Sequence, residues 1–136
     1  MKTGANEIKK ILIVEDNLVT IFIIEKLLGK YFQTHSVTNG YEALKVLEDN
    51  NYDVILMDIN LGNLDMDGIK TMQKIKFDKR HKRTKIIAIT TFSDERQWYI
   101  KQGFDELIIK PLLEEQTITL INNLFHKYTT IKKIEA

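Results

Sequence analysis

The chain has 136 residues, of which 43% are hydrophobic and 29% are charged, and its formal net charge is +1. This composition is typical of a folded globular protein, the length suits one compact domain, and the lack of cysteine excludes disulfides and thiolate chemistry. No apolar run approaches the roughly 20 residues of a membrane-spanning helix, and residues 1–10 lack the apolar core of a signal peptide. We therefore expect a cytoplasmic protein with no membrane partner, a single domain over residues 1–136 and a core at about 9–128.

The first half of the chain alternates between apolar strand-length runs and helical patterns. Residues 11–14 predict a first strand, and Asn17 is placed to cap a helix over residues 18–30. Residues 32–37 fit an edge strand of mixed polarity, followed by a short helix over residues 41–48. Residues 54–57 are wholly apolar and precede Asp58, as expected for a strand covered on both faces.

The second half continues the same alternation. It contains a turn-rich loop over 59–67, a helix carrying Ile69, Met72 and Ile75, strands over 85–89 and 107–109, and a last helix over 112–128. Between the last two strands, Ser93 or Asp94 can cap a helix that runs through Gln102 and ends at Gly103. Five strands alternating with helices through short connections predict an α/β fold with a parallel sheet and helices on both faces.

Polar residues follow the ends of four of these strands, namely Glu15 and Asp16, Asp58, Thr90, and Lys110. Parallel strands present their carboxyl ends at one edge of the sheet, so these side chains are expected to meet there. Clustered carboxylates repel one another unless a cation shares the site, and magnesium prefers oxygen ligands completed by a phosphate. A carboxylate beside such a cation can attack phosphorus and form an acyl phosphate.

The order and spacing of Glu15-Asp16, Met57-Asp58, Ile89-Thr90 and Lys110-Pro111 resemble the receiver domain of two-component response regulators over nearly the whole chain. The resemblance implies a flavodoxin-like, doubly wound sheet of order 2-1-3-4-5 and phosphorylation of Asp58 by a sensor histidine kinase or a histidine phosphotransfer protein. A signalling domain of this kind is not an enzyme in the usual sense, because at most it phosphorylates and dephosphorylates itself slowly.

The resemblance also implies the ligands and partners at the site. Magnesium, with manganese as an acceptable substitute, would be held by Glu15, Asp16, Asp58 and the backbone carbonyl of Asn60. Thr90 and Lys110 would contact the phosphoryl group, and the peptide bond before Pro111 would be cis.

Three features depart from the usual family pattern. Leu107 stands where the aromatic switch residue is expected, three positions before the lysine. The loop after Asp58 is two residues longer than usual and contains Leu61-Gly62. Thr91 replaces a usually small alanine and Phe92 follows it, and these bulky neighbours suggest hindered water attack and a long-lived phosphoryl group.

A stand-alone receiver is expected to signal through a downstream protein that contacts the face around Trp98, Leu107 and the last helix, with a homodimer on phosphorylation as one outcome. Trp98 and Tyr99 are expected to be partly exposed. The basic run over residues 79–83 lacks interleaved aromatics and predicts a solvated loop, so no direct nucleic-acid contact is expected. His35, His81 and His126 share no ligand spacing and are expected at the surface.

Two other functions stay open at this point. One is a receiver-shaped interaction module that never takes phosphate, which the full acidic set disfavours. The other is a phosphohydrolase with an aspartate nucleophile, which expects a second acid two residues after the nucleophile, where this chain has Asn60.

Overall fold

The computed structural model describes residues 8–62, 65–91 and 95–135 of the chain, with side chains described as far as residue 125. Five strands alternate with five helices along this sequence. The strands are β1 (Lys10–Val14), β2 (Gln33–Val37), β3 (Val54–Asp58), β4 (Lys85–Thr90) and β5 (Glu106–Ile109). The helices are α1 (Leu18–Leu28), α2 (Gly40–Val46), α3 (Gly68–Phe77), α4 (Arg96–Gln102) and α5 (Glu114–Glu135).

The five strands form one parallel sheet in the order β2-β1-β3-β4-β5. The predicted order of strands is therefore confirmed. Strand order reverses between β1 and β3, and this is the place where open α/β sheets bind ligands beyond the carboxyl ends of their strands. β1 and β3 are the strands that end at the three acids.

Alternating side chains of the central strands supply two cores, one on each face of the sheet. Ile55 and Met57 of β3 pack with Met72 and Ile75 of α3 in the first core. The neighbouring β3 residues Val54 and Leu56 belong to the second core, which contains residues of α1 and α5 such as Ile24 and Ile121. Because both faces of β3 are covered, its first four residues are apolar and all five residues, including Asp58, are buried.

Local capping explains where several helices begin and end. The side chain of Asn17 accepts a hydrogen bond from Thr20 N at 3.0 Å, as expected from its position before α1. Gly103 ends α4 with φ of 127°, a conformation that suits glycine. The first turn of α4 has Glu95 at its cap position without a side-chain cap hydrogen bond. The proposed caps Ser93 and Asp94 lie outside the described residues.

Gly68, the first residue of α3, brings that helix directly against the end of β3. A Cβ at this position would lie 2.4 Å from the Asp58 carbonyl oxygen and 3.0 Å from Ile59 Cα. Because the first of these separations is shorter than any real Cβ contact, only glycine allows this approach without a shift of the backbone. The start of α3 is thus packed on the main chain of the strand that carries Asp58.

Two expectations about exposure were wrong. His81 is only 3% exposed, since its Nε2 lies 2.9 Å from the Leu47 carbonyl oxygen between the end of α3 and β4. Tyr99 is only 4% exposed, because its ring packs edge-on against both Trp98 and Phe104. The imidazole of His35 is on the exposed edge strand β2, as expected, whereas the side chain of His126 lies outside the described residues.

Candidate functional site

The carboxyl edge of the sheet brings together the acids that end β1 and β3. Oxygen atoms of Glu15, Asp16 and Asp58 lie within 4.8 Å of one another. Glu15 and Asp58 are buried, whereas Asp16 is exposed. The structure therefore places three sequence-predicted residues in one acid pocket that opens to solvent through Asp16.

Lys110 reaches this acid pocket from the end of β5. Its Nζ lies 3.3 Å from Glu15 Oε1 and 3.5 Å from Asp58 Oδ2. Its backbone N–H donates to the Thr90 carbonyl oxygen at 2.8 Å, which ties the end of β5 to the end of β4. The following peptide bond, Lys110–Pro111, is cis. One ammonium group thus faces two carboxylates that are shielded from water.

Burial raises the pKa of Glu15 from its ordinary value of 4.5 to about 7. The neighbouring Asp58 carboxylate acts in the same direction, while the Lys110 ammonium and the backbone N–H of Asn17 favour the ionised form. That N–H donates to Glu15 Oε2 at 3.2 Å. The other carboxylate oxygen, Oε1, is buried and makes no hydrogen bond among the described residues, although the Lys110 ammonium lies 3.3 Å from it.

These features fit a hard divalent cation. A buried carboxylate oxygen without a hydrogen bond, beside two further carboxylates, is a ready oxygen ligand for magnesium. One ammonium group does not balance three carboxylates, so a second positive charge is electrostatically favourable here. Glu15, Asp16 and Asp58 are the described acids that can supply this ligand set.

Asn60 and Thr90 lie beside the acid pocket. The backbone N–H of Asn60 donates to Asp58 Oδ1 at 3.1 Å, which orients the carboxylate and places Asn60 next to it. Thr90 is the last residue of β4 and is 3% exposed. Thr91 is exposed, and Phe92, the second bulky neighbour named in the sequence analysis, lies outside the described residues.

Gly62 is a site residue that sequence reasoning named without giving it a role. It has φ of 75°, and a Cβ built on it would lie 3.0 Å from Asp16 Oδ2. The preceding Leu61 is 4% exposed and belongs to the core, so it anchors the loop at this point. The loop after β3 therefore passes against Asp16, and glycine leaves room for that carboxylate.

The exposed face of α1 beside the pocket is strongly apolar, a feature that the helical pattern of the sequence did not predict. Four large side chains there are at least half exposed, namely Leu18, Val19, Phe22 and Ile23. We call these four residues the α1 apolar face. A surface groove of about 380 Å³ connects it to the acid pocket, since its lining includes Ile23 of α1 together with Thr91 and Lys110.

The face around Trp98, Leu107 and the last helix, which was expected to contact a downstream protein, is only partly exposed. Trp98 is 47% exposed on α4, but Leu107 of β5 is 8% exposed and is part of the core. A bidentate ion pair joins the two elements: Arg96 Nε and Nη2 donate to the two carboxylate oxygens of Glu106, both at 2.8 Å. Trp98 and not Leu107 therefore presents apolar surface on this side.

Among the residues that the structure describes, no helix is both long and apolar enough to cross a membrane.

Comparison with known families and sequences gives a consistent result. The family model of the response regulator receiver domain matches residues 11–122. The chain is also similar to the transcriptional regulatory protein SrrA of Staphylococcus aureus (strain NCTC 8325 / PS 47), with 33% identity over 135 residues. That alignment covers 93% of this chain and 52% of the relative, so the chain spans about half the length of the curated relatives it matches.

Solved structures show the same similarity in three dimensions. The receiver domain of the sensor histidine kinase PA1611 from Pseudomonas aeruginosa PAO1, which has a magnesium ion coordinated in its active site cleft, superposes with a TM-score of 0.76 and 28% identity. The alignment covers 86% of this chain and 97% of that one. The chemotaxis response regulator CheY4 of Vibrio cholerae shares the fold, with a TM-score of 0.77, 22% identity and coverage of 85% and 99%.

Proposed function

Because this chain belongs to the response regulator receiver domain family of two-component signalling, we propose that it accepts a phosphoryl group on the carboxylate of Asp58. The observation that carries the proposal is the convergence of Glu15, Asp16, Asp58 and Lys110 at one edge of the sheet. The donor is a phosphohistidine of a sensor histidine kinase or of a histidine phosphotransfer protein.

In the proposed transfer, a carboxylate oxygen of Asp58 forms a bond to phosphorus while the bond from phosphorus to the histidine nitrogen breaks. The electron pair of that bond stays on the imidazole, and Asp58 becomes an acyl phosphate. The Asn60 N–H holds Asp58 Oδ1, which leaves the Oδ2 side, near Lys110, to meet the donor. Lys110 then pairs with a phosphoryl oxygen, and the Thr90 hydroxyl donates to another.

Magnesium is the proposed cofactor, with manganese as a substitute, and when bound it neutralises charge on the transferring phosphoryl group. Glu15, Asp16, Asp58 and the backbone carbonyl of Asn60 are the proposed ligands. The orphaned Glu15 Oε1 and the excess of carboxylate over ammonium support this assignment. A buried, partly protonated Glu15 also explains why the protein would gain from a cation at this place.

The α1 apolar face is the proposed docking surface for the donor protein. A donor must bring its histidine to Asp58, and this face joins the acid pocket through the groove that Ile23 and Lys110 line. Aromatic side chains are enriched at protein interfaces, and Phe22 is 59% exposed here. The proposed donor is therefore a protein with an apolar surface around its reactive histidine.

The proposed downstream surface is the side of the molecule that carries Trp98 and α5. The phosphoryl group on Asp58 would carry about two negative charges where the free carboxylate carries one, and this change would bias an equilibrium between two states of this side. Since Leu107 cannot act as a rotating aromatic, we propose that α4 itself moves, with the Arg96–Glu106 ion pair as its tether. Assembly into a homodimer after phosphorylation is a further proposed outcome.

The test is phosphorylation with a small-molecule donor. Wild-type protein treated with acetyl phosphate and magnesium should gain the mass of one phosphoryl group, and proteolysis should locate an acid-labile label on Asp58. Chelation with EDTA and the variant Asp58→Asn should each abolish labelling, whereas Asp53→Asn, a change at the opposite end of β3, should leave it intact. Persistent labelling of Asp58→Asn would overturn the assignment.

A further inference from the structure

The charges of this chain are unevenly distributed along the sequence. Residues 70–85 contain eight lysines and arginines and one aspartate, a net charge of +7, although the whole chain carries +1. The remaining residues therefore carry a net charge of −6. This segment covers most of α3, a short 3-10 helix (Lys79–His81) and the start of β4. A patch with this much charge creates a positive electrostatic potential at the nearby surface, even though the net charge of the whole chain is small.

One stripe of α3 presents this charge together with an aromatic ring. Lys70, Gln73, Lys74 and Phe77 follow one another at helical spacing, are all exposed, and line a shallow surface groove of about 640 Å³. Phe77 is 91% exposed, the highest value among the exposed large hydrophobic residues of the described chain. The basic run over residues 79–83 contains no aromatic residue, but the end of α3 places Phe77 beside it.

Several cations of the segment are not neutralised by the protein itself. Lys76 pairs with Asp105, and Arg80 pairs with Asp78. In contrast, exposed basic side chains on both sides of Phe77 have no ion pair within the described ranges, namely Lys74, Lys79, Lys82 and Arg83. We call Phe77 and these four residues the basic face. Their charge is available to a partner.

The basic face lies away from the acid pocket. α3 begins with Gly68 against the Asp58 carbonyl and ends at Phe77, so the helix runs from the carboxyl edge of the sheet toward the opposite edge. Ten residues of α-helix span about 15 Å. The 3-10 helix that follows leads into the amino end of β4 at that opposite edge. A partner bound there leaves Asp58 accessible.

We propose that the basic face binds single-stranded nucleic acid without sequence preference. Such binding combines lysines and arginines that contact phosphates with an exposed aromatic ring on which a base stacks. Both elements are present here, and the Gln73 amide can donate to or accept from a base edge. An anionic membrane would use the same charges, but Phe77 has no exposed apolar neighbour in this segment with which to enter a bilayer. The basic face therefore suits a nucleic-acid strand better than a membrane surface.

The experiment measures fluorescence anisotropy of labelled oligo-dT and oligo-U of about 12 nucleotides, the size of one small binding site. We expect a dissociation constant of about 100 μM or tighter in low salt. With about four phosphate contacts, the logarithm of the binding constant should fall against the logarithm of salt concentration with a slope of about −3. Phe77→Ala should weaken binding about tenfold, within the range of one lost stacking contact.

Matched variants separate the basic face from the rest of the surface. Lys74→Glu combined with Lys82→Glu should abolish measurable binding, whereas Lys101→Glu on α4 should not, although that lysine is also exposed. Tyr41→Ala removes another half-exposed aromatic and should bind like wild type. Thermal unfolding of each variant confirms that it is folded before it is titrated.

Three results would overturn the proposal. The first is no binding by wild type at low salt, and the second is equal binding by wild type and Phe77→Ala, which would mean charge attraction alone. The third is tighter association with vesicles that contain phosphatidylserine than with either oligonucleotide, since that would assign the basic face to a membrane surface. None of these depends on phosphorylation of Asp58, so the two proposals fail or stand separately.

Discussion

The ammonium of Lys110 lies 3.3 Å from the carboxylate of Glu15 and 3.5 Å from that of Asp58, although Glu15 and Lys110 are 95 positions apart in the sequence. The parallel sheet creates this proximity, because β1, β3 and β5 all end at the same edge. Lys110 is thus the cation that the protein itself supplies to the acid pocket.

Removing this cation should destabilise the metal-free protein. At pH 8 and in EDTA, Lys110→Met should lower the free energy of unfolding by roughly 1–3 kcal/mol, because it leaves buried carboxylates without a counter-charge. Saturating magnesium should reduce the difference in unfolding free energy between wild type and Lys110→Met, since the metal ion then supplies positive charge to the pocket. Urea unfolding with and without magnesium measures both effects, and Lys101→Met serves as the exposed control. An equal difference in the two buffers would contradict magnesium binding in this pocket.

The raised pKa of Glu15 predicts how the metal-free protein responds to pH. Between its ordinary value of 4.5 and about 7, the folded protein keeps a proton that the unfolded chain has released. Folding stability from this group is therefore present below pH 4.5 and is lost as the pH rises toward 7. The difference in unfolding free energy between wild type and Glu15→Gln, measured in EDTA, should fall across this window. A constant difference would show that Glu15 titrates normally.

Gly62 should control the affinity for magnesium through Asp16. Gly62→Ala adds a Cβ at positive φ and 3.0 Å from Asp16 Oδ2, so it should weaken magnesium binding by up to about tenfold through backbone strain and displacement of the ligand. Isothermal titration calorimetry gives the affinity. In the Asp16→Asn background, the same substitution should have little further effect. Additive losses in the double variant would mean that Gly62 acts elsewhere.

The α1 apolar face predicts a difference between protein and small-molecule donors. With a histidine kinase that phosphorylates the wild-type chain, phosphotransfer to Phe22→Asp should be at least about tenfold slower, as expected for loss of an interface anchor. Labelling by acetyl phosphate should be unchanged, because that donor needs no docking surface. Tyr41→Asp, on α2, is the matched control. Slower labelling by both donors would place the effect in the pocket instead.

The sequence was sufficient to predict the sheet because its strands are apolar runs with polar ends. β3 is buried along its whole length, and only Asp58 at its end is acidic, so the pattern identifies both the strand and the site. The same pattern made the strand order and the family predictable, and both predictions are confirmed. Glu15 and Lys110 were found because strand ends in a parallel sheet become neighbours.

Features that depend on packing between distant elements were not predictable in this way. His81 is buried because its ring nitrogen meets the Leu47 carbonyl, a contact across 34 positions of the chain. Tyr99 is buried because Trp98 and Phe104 enclose its ring, and a short helix of seven residues gives little periodicity from which to see this. The role of Gly62 depends on where a loop passes, which local sequence does not specify.

The backbone contact at Gly68 has a mechanical consequence. At Gly68 no side chain separates the first turn of α3 from the main chain at the end of β3, so there is no compliant layer to absorb a displacement of Asp58. A small shift of Asp58, the residue proposed to be phosphorylated, would then be transmitted along α3 as along a rigid rod. We therefore expect Phe77, at the far tip of that rod, to report chemistry at the opposite end of the molecule.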